Sequence, residues 1–157
     1  MLNKLTLFSL FLCSNLAVFN LATANPKSTL KLTVIVDGIR SQKGQICLRI
    51  YGDERGFPLS DISEVKSDCV KIQGSSAKKE FDGLKPGTYA VAVIDDQNGD
   101  YKLNRDFLGI PQEGFGISKN PTVSMLKGIP KFQEASFSLK NSITIKINMK
   151  YSLDPSN

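Results

Sequence analysis

GTYAVAVID, residues Gly87–Asp95, decides the fold. Tyr89, Val91 and Val93 fall on one face of an extended chain, and Ala90, Ala92 and Ile94 on the other. A strand apolar on both faces is covered on both, which marks it as central. Lys85-Pro86-Gly87 introduces it, the proline presetting φ and the glycine tolerating positive φ.

Working outward, the period stays at two. Leu30, Leu32, Val34 and Val36 share a face of LKLTVIVD, and Ile46, Leu48 and Ile50 share one of QICLRIYG. Val70 and Ile72 do so in SDCVKIQ, and Ala135, Phe137 and Leu139 in EASFSLK. Ile143, Ile145, Ile147, Met149 and Tyr151 alternate with polar residues at the end of the chain. A seventh strand is expected at Lys78 to Phe81, and a short helical turn at Leu59 to Val65. Ser41 to Gly44 reads as a hairpin between the first two strands, and Lys140-Asn141 links the last two. Short connections imply antiparallel pairing. The pattern specifies an all-β fold, an immunoglobulin-like or transthyretin-like antiparallel β-sandwich of about seven strands, with a closed barrel as the alternative.

Residues 1–24 read as a secretory signal peptide: Lys4, a mostly apolar run from Leu5 to Leu21, and an Ala22-Thr23-Ala24 cleavage site. Cleavage leaves a single domain of residues 25–157, its core spanning 30–151, with no membrane span. The expected location is therefore exported, periplasmic or extracellular, and any partner is an extracytoplasmic ligand or protein. Losing Lys4 lowers the formal charge from +5 to +4, and the cations are scattered, which argues against nucleic acid.

Cys47 and Cys69 remain after cleavage, and an even count in an exported chain implies a disulfide. Both lie opposite the apolar face of their strands, so the bridge should tie neighbouring strands on the outside of one sheet. Closing that span stabilises by roughly 3 kcal/mol on loop-entropy grounds. The chain contains no histidine, which removes serine–histidine and cysteine–histidine chemistry. The domain is accordingly expected not to be an enzyme. A hydrolase would have to use two of Asp95, Asp96, Asp106 and Glu113 as a carboxylate pair.

The segment after the central strand, DDQNGDYKLNRDFLGIPQEGFGISKN (Asp95–Asn120), has neither a strand nor a helix period. Asp96, Asn98, Asp100 and Asn104 occupy the first, third, fifth and ninth positions of a calcium-loop template, with the Lys102 carbonyl at the seventh. They form a candidate calcium site. Tyr101 replaces the glycine of such a loop and Phe107 its closing glutamate, so an Asx-rich turn without metal is the other reading. A calcium site would make Asp96→Ala costly only when calcium is present. Further on, Phe107, Leu108, Ile110, Phe115 and Ile117 are apolar, with Gly109, Gly114 and Gly116 letting the backbone bend. Arg105, Phe107, Glu113, Phe115 and Ile117 are the candidate binding residues, centred on Arg105 and Gly114–Ile117. Exposed Phe115 and Ile117 would mark a recognition surface, whereas buried ones would mark a cover for the sandwich or a structural envelope component.

Several stretches together resemble the uncharacterised bacterial proteins grouped as domain of unknown function 2141. They are GLKPGTYAVAVIDDQNGD (Gly83–Asp100), KLNRDFLGIPQEGFGISKNP (Lys102–Pro121), PKFQEASFSL (Pro130–Leu139), the closing alternating strand and LTVIVDGIRSQKGQICLRIYGDERGFP (Leu32–Pro58). The resemblance implies an exported β-sandwich and supplies no catalytic residues. It also implies that glycine is common where Tyr101 stands. Leu84–Asp95 is similar to a strand of carboxypeptidase-regulatory-like and adhesin B-type domains, which speaks only to a strand entered through a tight turn.

Overall fold

A computed structural model describes residues 29–153. The signal-peptide and cleavage-site readings lie outside the described residues. Eight strands run in the order β1 Leu30–Asp37, β2 Gln45–Tyr51, β3 Glu64–Lys71, β4 Ser76–Leu84, β5 Gly87–Asp96, β6 Phe115–Ile117, β7 Phe137–Leu139 and β8 Ile143–Asn148. One short helix, α1 Phe132–Ala135, precedes β7. No described helix is long and apolar enough to cross a membrane.

The strands form two sheets. One has three strands in the order β4-β1-β8, the other has β3-β2-β5-β6, with β7 pairing β5 beyond the end of β6. β5 is the centre of the larger sheet, as its two apolar faces require. Its inner residues Val91 and Val93 pack with Ile46, Leu48 and Ile50 of β2 against Leu32, Val34 and Val36 of β1 and Ile147 of β8. The β8 alternation also holds: Ile143, Ile145, Ile147, Met149 and Tyr151 all join this inter-sheet core.

Four local expectations change. β1 and β2 do not pair, so Ser41–Gly44 crosses from one sheet to the other rather than closing a hairpin. β1 and β8 pair in parallel, Leu32 opposite Ile143 through Asp37 opposite Asn148, because the chain returns to β1 by way of the other sheet. Leu59–Val65 makes hydrogen-bonded turns and then enters β3, without a helix. Ala135 ends α1 instead of opening a strand, and Glu134 accepts a 2.7 Å hydrogen bond from the Lys131 amide at that helix's start.

The sheets meet at one corner. Phe115 of β6 exchanges two backbone hydrogen bonds with Lys150, just past β8, at 2.9 and 2.7 Å. Gly114 and Gly116 make this approach feasible. A Cβ on Gly116 would lie 2.7 Å from Ile147 Cγ2, and one on Gly114 would lie 2.5 Å from Tyr151 Cε1. Their role is close packing, not the backbone bending expected of them. The turn at Gly109, φ 79°, does need that freedom.

Candidate functional site

The outer face of the larger sheet follows from strand alternation. Residues facing away from the core are Cys47, Arg49 and Tyr51 on β2, Ala90, Ala92 and Ile94 on β5, and Phe115 and Ile117 on β6. Register sets Cys69, Cys47, Ile94 and Phe115 in one row across the sheet, and Ser67, Arg49, Ala92 and Ile117 in the next. Cys47 and Cys69 are bonded, as expected, across neighbouring strands.

A second apolar cluster covers one end of this face. It comprises Tyr51, Ala90, Phe115, Ile117, Val123, Phe132 and Ala135, with Phe57 and Leu103 against it. Phe57 stands edge-on to Tyr51 and to Phe132, with ring centroids 5.1 and 5.7 Å apart. The Ser118 hydroxyl accepts from the Val91 amide at 2.9 Å and donates to the Ala135 carbonyl at 2.7 Å, tying the covering segment to β5. Phe115 and Ile117 are therefore buried, which matches the reading of them as a cover over the sandwich and not that of an exposed recognition surface. Glu113 is buried too. Sequence reasoning missed β6 because it is three residues long, with Gly116 inside it and Gly114 before it.

Next to this cluster the same face stays open as a groove of about 1240 Å³. Its floor includes Ala92, Ile94 and the disulfide; its walls come from Leu59, from the Tyr101–Pro111 loop and from the Val123–Pro130 segment. Large apolar side chains remain accessible around it: Leu59 54%, Tyr101 58%, Leu108 65%, Met125 65% and Ile129 45% exposed. Such a concentration exceeds scattered surface hydrophobics. Leu59, Met125 and Ile129 were not singled out in the sequence, because a wall assembled from three separate loops leaves no local signature. Phe107 is 95% exposed at the tip of the neighbouring turn.

The acidic loop is held by its own amides. Asp96 Oδ1 accepts from the Gly99 and Asp100 amides at 2.9 and 3.1 Å; Oδ2 accepts from the Tyr101 amide at 3.2 Å and Gln45 Nε2 at 3.0 Å. These four bonds use the four acceptor positions of a carboxylate. The Cys47 sulfur also lies 3.7 Å from Oδ2, a contact without a proton, since the sulfur is in the disulfide. Asp100 accepts from the Lys102 amide and from the side-chain amides of Asn98 and Asn104, which hold its carboxyl below the usual range, Asn104 most strongly. Asn98 Oδ1 accepts from the Asp100 amide at 3.1 Å. Glu113 bridges the loop's two limbs, accepting from the Gln97 and Asn104 amides at 3.0 Å each. Tyr101 has φ 61°, a left-handed conformation that explains why glycine suits this position.

Calcium needs roughly six to eight converging oxygens. Here Asp96 is saturated by N–H donors and Asp100 nearly so, while Asn104 Oδ1 is without a partner. No group of three or more acidic, cysteine or histidine residues among the described ones is placed to hold a metal. As arranged here, the loop's side-chain oxygens are turned to its own amides and do not converge as that ion needs.

Asp106 is committed in the same way, and Asp95 is not. Asp106 Oδ1 accepts from the Leu108 and Ile110 amides at 2.9 Å, and Arg105 Nη1 donates to the Gly109 carbonyl at 2.9 Å, closing the turn below Phe107. Asp95 faces inward and is fully buried. Its Oδ2 accepts a 2.6 Å bond from the Tyr151 hydroxyl, while Oδ1 has no partner. Burial and the neighbouring Asp96 push its carboxyl up, and burial with Asp95 pushes the Tyr151 hydroxyl up to about 12.

Fold and site together define an all-β, two-sheet domain with a self-ordered acidic loop beside an apolar groove. The chain belongs to the family described as uncharacterized protein conserved in bacteria (DUF2141), whose sequence profile matches residues 34–146. No curated protein and no solved structure matches it.

Proposed function

We propose that this is an exported, non-enzymatic binding domain that takes an apolar ligand in the groove on the outer face of its larger sheet. The observation that carries this reading is the groove itself: about 1240 Å³, with five large apolar side chains left accessible around it. Ligand sites are concave and mostly apolar, with a few polar groups to orient the ligand. The 96–120 segment takes part through its first half, which supplies the Tyr101–Pro111 wall, and through the buried Phe115 and Ile117, which line the groove from β6. The cross-strand disulfide supports export, since such bonds persist in oxidising compartments. The commitment of Asp96, Asp106 and Glu113 to backbone amides argues for binding over carboxylate-pair hydrolysis, which needs two carboxyls facing one substrate.

A structural role in the cell envelope is the second reading, favoured by the burial of Phe115 and Ile117. Fluorescence of Nile red, a neutral apolar dye, separates the two. Binding is expected in the wild type and should weaken at least about tenfold in Leu108→Asp and Met125→Asp, with melting temperature unchanged. No binding by the wild type, or equal binding by both variants, favours the structural role.

A further inference from the structure

We infer that the groove's ligand is an amphiphile with an anionic head, held by Arg105 and Lys102 while its apolar part lies over Ala92 and Ile94. This rests on the groove reading above and adds the ligand's charge. Two of the charged residues lining the groove, Arg49 and Asp68, are ion-paired. Arg49 Nε lies 2.7 Å from Glu64 Oε2, Asp68 is paired with Lys79, and Asp100 accepts from its own loop. Among the described residues, Arg105 and Lys102 make no ion pair, although both line the groove. A guanidinium has five N–H donors, and Arg105 is recorded donating only to the Gly109 carbonyl, so donors are left for a carboxylate or phosphate in a forked geometry. The Gly109 bond also steadies the side chain beforehand, which lowers the entropy cost of binding.

The opposing charge is smaller. Asp61, next to Leu59 and Ser60 on the other wall, is the lining carboxylate whose side chain makes no hydrogen bond or ion pair among the described residues. Asp100 keeps its charge beside Lys102, but its oxygens are taken up by amide donors, so a cationic head would find one carboxylate with open acceptor positions, against two cations with open donors. Arginine also recognises anions bidentately, whereas a lone aspartate offers an ammonium a point contact.

Three ligands with the same alkyl chain test the assignment: dodecanoate, dodecanol and dodecylammonium, each displacing Nile red below its micelle concentration. Dodecanoate should bind on the order of fivefold more tightly than dodecanol, and dodecylammonium more weakly than either. Arg105→Gln combined with Lys102→Gln should bring dodecanoate to the level of dodecanol while leaving dodecanol unchanged. Both side chains are exposed, so folding should be retained; if it were not, the wild-type ranking still decides. Dodecylammonium binding as tightly as dodecanoate, or dodecanoate indifferent to the double substitution, overturns the anionic head and leaves the groove intact. Failure of all three to displace the dye overturns the groove reading itself.

Discussion

The two faces of the larger sheet are built from the same strands and end differently. On the inner face Ile46, Leu48, Ile50, Val91 and Val93 are at most 1% exposed, because a second sheet lies against them. On the outer face Ala92 and Ile94 are half-buried: α1 and the Val123 segment cover one end and leave the other open. The inner face needs only alternation to be buried, since any antiparallel partner sheet completes it. The outer face depends on which loops reach over it. Stability is therefore concentrated inside and accessible apolar surface outside.

The largest effect expected from this contrast is at Leu48. Leu48→Ala leaves a cavity in the inter-sheet core and should cost about 2–5 kcal/mol in chemical denaturation, whereas Met125→Ala on the groove wall should stay within about 0.5 kcal/mol. Comparable losses at the two sites would break the contrast. Next comes the disulfide, the covalent part of the outer face. Replacing Cys47 and Cys69 together by alanine should cost roughly 3 kcal/mol through the freed loop, read from the denaturation midpoint against the oxidised wild type.

Asp96→Ala should cost about 1–3 kcal/mol by leaving part-buried amides without an acceptor. With those amides as the carboxylate's partners, the loss should be equal in EDTA and in calcium. A loss confined to the calcium sample would restore the metal reading. The smallest effect concerns Asp95. Its folded-state pKa is raised, so the native state binds this proton more tightly than the unfolded chain does. The favourable contribution is complete below the ordinary carboxylate pKa and is lost as pH rises through the folded value. Asp95→Asn should therefore melt higher than the wild type at neutral pH, and the difference should shrink below about pH 4. A difference independent of pH would show that the carboxyl's charge is not what is being removed.

Most of the inner face was legible in the sequence. Alternation alone identifies the core residues of β1, β2, β5 and β8, and it turns Cys47 and Cys69 outward onto the same face. Pairing was less legible. Ser41–Gly44 has hairpin composition but connects different sheets, and the parallel partnership of β1 with β8 depends on contacts over a hundred residues apart in sequence. The site was legible in part. Asp96, Asn98, Asp100 and Asn104 were recognisable as an oxygen-rich loop, but sequence cannot say whether those oxygens face a metal or their own amides. Phe115 and Ile117 could be read as cover or as surface, because the flanking and intervening glycines disguise a strand. The groove was invisible, since its walls come from segments distant in sequence and its floor is the back of a core sheet. The apolar outer side of Gly87–Asp96 was the only hint that something other than water lies there.

The central claim is that the two faces differ in access, and methyl-resolved NMR during a Nile red titration tests it most directly. Shifts are expected at Ala92, Ile94, Leu108, Met125 and Ile129, with Leu48, Val91 and Ile147 unmoved. Shifts centred on Leu48, Val91 and Ile147, or none at Ala92 and Ile94 under saturating dye, would contradict it.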